Sequence, residues 1–170
     1  YDMYIGVVGS YMCLRDRYNT LMKYIFRGGI KMFDVMELAH FILRRCTSRG
    51  MAISNLHLQK ILYFLQKDFL KRNGFPLFSD EIEAWRYGPV VRRVYNFYCI
   101  YGADPIYVLD DTTINTLEQP SLDIIDQQCL KNPWKLVNET HRENGAWDRV
   151  YQDGIGEWQV IPRSWIAEDE

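Results

Sequence analysis

Four cysteines in 170 residues lie at least thirty positions apart, so no CxxC pair exists and neither a zinc ribbon nor a dithiol motif is supported. Cys13, Cys46, Cys99 and Cys129 read as reduced, partly buried thiols. No apolar run approaches the roughly 18–20 residues that cross a bilayer, and no signal peptide is evident. A net charge of −2 provides no global attraction for nucleic acid. Only three histidines occur, with no HExxH, HxH or His/Cys cluster, so no metal ligand set is expected. GxSxG and Cys/His nucleophile arrangements are missing too. Gly6-Val7-Val8-Gly9-Ser10 lacks the lysine and spacing of a phosphate loop. These absences point to a cytoplasmic, non-enzymatic protein with no cofactor and no membrane segment.

Aromatics, by contrast, are abundant at 15%, and rings either fill a core or stack at a contact surface. An apolar fraction of 48% and a charged fraction of 25% are ordinary for a globular chain of this length. The first 31 residues carry five Lys/Arg against two Asp/Glu, so they hold +3 and the remainder −5. Tyr11, Leu14, Tyr18, Leu21 and Ile25 share one helical face there, and Gly28-Gly29 is a stop. The expected division is an N-terminal extension over 1–31, one helix, followed by a domain over 32–170.

That domain is expected to be mainly α (α+β), a compact helical unit with a few short strands. Asp34 caps a helix bearing Val35, Leu38, Ala39, Ile42 and Leu43, which ends at Gly50. Ser54 caps a second helix with Leu58, Ile61, Leu62, Leu65 and Phe69 as its stripe, and Asn73-Gly74 ends it. Lys60, Lys67 and Lys71 fall off the stripe and are expected to face water. Ile82 to Arg86 alternates as a short strand would. Gly88 and Pro89 shape a tight turn, Tyr87-Gly88-Pro89, with a largely buried helix starting directly afterwards. Ser121 is expected to cap a helix over 122–130, Asn132-Pro133 the next, and Pro162 to open a terminal one. Ile106-Tyr107-Val108 and 158–161 read as further strands, 110–119 as a polar loop, and the acidic tail from Glu168 as solvated.

The blocks ISNLHLQKILYFLQ, EIEAWRYGPVVRRVY, Tyr101-Gly102 and LVNETHRENGAW, in this order, resemble the Panacea antitoxin domain. That family includes SocA-like antitoxins and phage-associated GepA-like proteins. The resemblance covers about 34–166. It departs from the family where Gly-Ala-Trp stands in place of the more usual Pro-Trp, and residues 1–31 have no counterpart. It implies a mainly helical domain that neutralises a cognate toxin protein by direct binding. It also implies a possible adaptor role, handing the toxin to an ATP-dependent protease.

Partner-binding candidates are Trp85, Arg86, Tyr87, Arg92, Arg93 and His141, since aromatic and arginine side chains dominate protein interfaces. For Trp85, core packing is favoured over contact. His141 sits beside Glu139 and Glu143, and adjacent carboxylates either raise an imidazole pKa or fix its tautomer. A structural histidine is nonetheless favoured over a general base, because the partner groups are missing. Gln59 either buries its amide against the Tyr-Gly-Pro turn or lies at the surface, and His57 is solvated or packed. A second reading is a DNA-binding autoregulator, with Arg44, Arg45, Arg49, Arg86, Arg92 and Arg93 as a phosphate-contacting stripe. The two helices either side of residues 51–53 mimic a helix-turn-helix, but few side chains on the second are free to read bases. Oligomeric state is not readable.

Overall fold

A computed structural model describes residues 32–110, 112 and 114–169. The helix expected before residue 31 lies outside the described residues. Seven α-helices and one two-stranded sheet are found among them, so the domain is mainly α with a few short strands. Helix α1 spans Val35–Ser48 and α2 Asn55–Asn73. A hairpin follows, β1 (Glu83–Trp85) against β2 (Gly88–Val90). Then come α3 (Arg92–Tyr98), α4 (Gln119–Cys129), α5 (Pro133–Thr140), α6 (Ala146–Tyr151) and α7 (Arg163–Glu168).

Local chemistry set several boundaries as expected. Asp34 Oδ1 accepts the Met36 and Glu37 amides, closing the first turn of α1. Ser54 Oγ accepts His57 N, and Gly74 ends α2 at φ 76, where its N–H reaches Leu70 O. Asn132 caps α5 with Pro133 at the first helical position. Helix α4 starts earlier than Ser121 suggests. Its cap residue is Glu118, and Pro120 sits where the missing N–H costs nothing.

Helix α2 is the axis of the domain. It packs on α1, α3, α4, α5, α7 and β2, so it is buried nearly all round and not along one stripe. Several of its polar residues are therefore buried too, and they hydrogen-bond backbone groups of the neighbouring segments. Gln66 Oε1 accepts Leu77 N and Phe78 N, while Gln66 Nε2 donates to Phe78 O. Two turns earlier Gln59 Oε1 accepts Val91 N at 2.8 Å. Asn55 Nδ2 donates to Tyr95 O, and His57 Nε2 meets Gln128 O at 2.8 Å. Lys60, expected in water, is fully buried, and its Nζ donates to Pro89 O at 3.0 Å. Lysine was misplaced because the hydrophobic stripe identifies one packed face only, whereas α2 is enclosed on several.

The hairpin also differs from the expected turn. Arg86 and Tyr87 form a two-residue loop, and Gly88 opens β2 with φ 99, a backbone conformation that favours glycine. Pro89 is tolerated within a strand because it faces Ala84. The Ala84 N–H and C=O point the other way, to Gln159 O and Trp158 N. Residues 158–161 thus lie along β1, with Ile161 N donating to Ile82 O, but only Val160 forms a bridge. Ile106 likewise makes a single bridge, to Ile53, in place of a strand.

Two further expectations are corrected. Helix α3 buries only Val94 and Tyr98; Phe97 is 66% and Ile100 86% exposed, so the apolar run there is largely surface. The tail is not wholly solvated. Asp169 accepts Tyr63 Oη at 2.5 Å and Ala146 N at 3.2 Å, and lies 3.7 Å from Lys67 Nζ. Within 110–119, Ile114 and Leu117 turn inward.

Candidate protein-binding site

The hairpin is held from below and presents its tip to solvent. Gln59 and Lys60 grip the backbone at Val91 and Pro89, and Gly88 sits directly on Lys60. A Cβ at Gly88 would fall 2.8 Å from Lys60 Nζ and 2.7 Å from Thr140 Oγ1. From the other side Trp147 Nε1 donates to Trp85 O at 2.8 Å. Backbone groups that would otherwise wander are thus pinned at three points, and the tip residues are displayed on a fixed support.

Tyr87 is 49% exposed and Trp134, from the first turn of α5, 54%. Their rings meet edge-to-face at 5.6 Å, and the Arg86 guanidinium lies 5.6 Å from the Tyr87 ring. Trp85 is half-buried against Tyr95 at 4.8 Å. Its Nε1 donates to Glu83 Oε2, and Arg92 clasps the same carboxylate at 2.7 and 2.8 Å while lying over the indole. Between these pairs runs a groove of about 550 Å³, also lined by Leu56, Val90 and Ala103. Its volume lies within the ~300–1,000 Å³ of concave binding sites.

The six sequence candidates do not converge. Trp85, Arg86 and Tyr87 border the groove. Arg92 flanks it with its charge already matched by Glu83. Arg93 points elsewhere, to Asp34 at 2.9 Å and Asp80 at 3.8 Å. His141 lies under the hairpin, stacked on Trp147 at 3.7 Å with an interplanar angle of 1°. Its Nε2 is buried without a hydrogen-bond partner. Burial, and secondarily the Lys60 amine, push its pKa down to about 4, opposite to the rise that adjacent carboxylates would give. Glu139 instead engages Lys131 at 2.9 Å.

Lys60 is the other perturbed group, its pKa lowered to about 7 by burial alone. Its amine also helps to lower the His141 pKa. The sequence reading missed Trp134, Tyr95 and Leu56 as lining residues. The available signal for Trp134 was its place at the start of a capped helix, where side chains often project outward. Among the described residues no cluster of His, Cys, Asp or Glu is arranged to hold a metal ion, and no helix is long and apolar enough to cross a membrane.

The arginines of the proposed phosphate stripe are largely committed within the chain. Arg45 and Arg49 both reach Asp126, at 2.7 and 2.6 Å, and the Arg45 hydrogen bond holds that carboxyl below its usual range. Any phosphate contact by these residues would first break an existing ion pair.

Comparison with known proteins adds the family. The family model described as "Antitoxin SocA-like, Panacea domain" matches residues 58–148, which include Lys60, the whole hairpin, Trp134 and His141. The chain is 38% identical to a protein named Antitoxin SocA from Caulobacter vibrioides (strain NA1000 / CB15N), over 72% of each chain. No solved structure matches. The chain belongs to the SocA-like antitoxin family that carries the Panacea domain.

Proposed function

We propose that this protein is the antitoxin of a toxin–antitoxin pair and neutralises its toxin by direct binding through the hairpin face, with no chemistry of its own. The observation carrying this reading is the exposed Tyr87–Trp134 pair on a rigidly held hairpin, inside the stretch that matches the antitoxin family. Exposed aromatics on a preorganised support bury large area at small entropic cost, which is the composition of interface anchors. Residues 32–170 act as the binding module, with Trp85, Arg86, Tyr87 and Arg92 at the contact and Gly88 and Pro89 shaping it. Arg93 lies at its margin and His141 acts from beneath. Delivery of the bound toxin to an ATP-dependent protease is a further part of the proposal, and the setting is the cytoplasm.

Co-expression with the protein encoded beside it tests the reading. A stable complex and relief of growth arrest are expected. Neither complex nor relief would overturn it. The DNA-binding alternative predicts a mobility shift that weakens steeply with salt; the internal ion pairs of Arg45, Arg49, Arg92 and Arg93 argue against it.

A further inference from the structure

We infer that the groove beside the hairpin receives a single apolar anchor side chain from the partner, carried on a segment that also bears one acidic and one basic residue. The inference rests on the antitoxin reading and specifies the chemistry of the toxin element that the site takes.

The first argument is saturation. The two amide side chains lining the groove, Asn55 and Gln59, are already satisfied inside the chain. Asn55 Nδ2 donates to Tyr95 O at 3.1 Å, Asn55 Oδ1 accepts Gln59 Nε2 at 3.0 Å, and Gln59 Oε1 accepts Val91 N. A polar side chain placed against these amides would lose water and gain no partner from them. An aliphatic or aromatic side chain loses nothing and covers Leu56, Val90 and the ring faces of Trp85 and Tyr95.

The second argument is charge. Arg86 and Glu157 both line the groove. Their hairpin and helix neighbours Arg92 and Arg93 are matched by Glu83 and Asp34. Among the described residues neither Arg86, whose guanidinium lies near the Tyr87 ring, nor Glu157 has an ion pair. Two unmatched charges of opposite sign on one apolar groove select a segment with the complementary pair. Charges at the edge of such a contact set orientation and association rate, while the buried anchor sets residence time.

Selection from a displayed library of short random peptides, with the full chain as bait, tests this. Peptides carrying Trp, Phe or Leu together with one acidic and one basic residue are expected to be enriched. With Arg86→Glu the acidic preference becomes basic, and with Glu157→Lys the basic preference becomes acidic. Ala103→Trp, at an exposed turn position on the groove, fills it and lowers recovery by about thirty-fold, the effect of a ~2 kcal/mol anchor. Circular dichroism confirms that each variant is folded, and Leu56→Trp replaces Ala103→Trp if the latter is not. An absence of consensus, a polar anchor, or a consensus unmoved by the charge swaps and the plug would overturn the inference. If the same preparation still neutralises the neighbouring toxin, the antitoxin reading survives and the groove chemistry alone is wrong.

Discussion

Replacing Lys60 by methionine probes the buried support of the hairpin. In the folded chain the ammonium loses its charge near pH 7, against 10.5 for the free side chain, because burial penalises the cation. Between these values the unfolded chain binds a proton that the folded chain does not. Stability therefore rises with pH across that window, by at most about 1.4 kcal/mol per pH unit. The whole interval is worth on the order of 4–5 kcal/mol. Methionine keeps the length of the stem and removes the charge. It forfeits one hydrogen bond to Pro89 O, about 1 kcal/mol net, and leaves that carbonyl to find another donor. Below pH 7 relief of the buried charge outweighs this loss; above pH 10.5 the loss alone remains. Lys60→Met is thus expected to be more stable than the parent at pH 6, about equal near pH 10 and slightly less stable near pH 11. Urea titrations of both proteins at each pH measure the difference, and groups common to both cancel. Parallel pH profiles would show that Lys60 keeps its charge in the fold and would refute the reasoning.

Gly88→Val is expected to cost about 3 kcal/mol, from a disfavoured positive φ and from a Cβ driven against Lys60 and Thr140; an unchanged melting temperature would contradict this. Acidification from pH 6.5 towards 4 should lower stability, because the unfolded chain takes up the His141 proton before the folded chain does. His57, also held down by burial, adds to that slope, so His141→Gln should flatten it only in part; an identical acid slope would exclude His141. Arg93→Glu breaks an exposed pair with Asp34 and should cost no more than about 1 kcal/mol of stability. It should weaken toxin binding less than Arg86→Glu does, and the opposite order would move the contact to the start of α1.

What the sequence disclosed followed the range of the interactions involved. Asp34, Ser54, Gly74 and Asn132-Pro133 act within one turn of chain, and each boundary stands where its residue type dictates. Lys60 and Asp169 depend on distant segments. One carbonyl 29 positions away and one tyrosine 106 positions away hold them inside, and no local pattern encodes either. The aromatic-rich stretch after Pro89 looked buried because ring content does not say which way a ring faces. Only Val94 and Tyr98 of α3 turn inward. The binding groove was half legible for the same reason. Trp85, Arg86 and Tyr87 are contiguous and were visible as a set, whereas Trp134 and Tyr95 join them only through folding. Gln59 had two open readings, support of the turn or a surface amide; it is buried and accepts Val91 N, two residues beyond Pro89.

Amide hydrogen exchange on the protein alone and in complex with its toxin tests the central claim most directly. Protection on binding is expected at Trp85–Gly88, around Ala103 and at the start of α5 near Trp134, with little change across the far face of α1 and α4. Protection confined to α1 and α4, with the hairpin tip exchanging as fast as in the free chain, would contradict it.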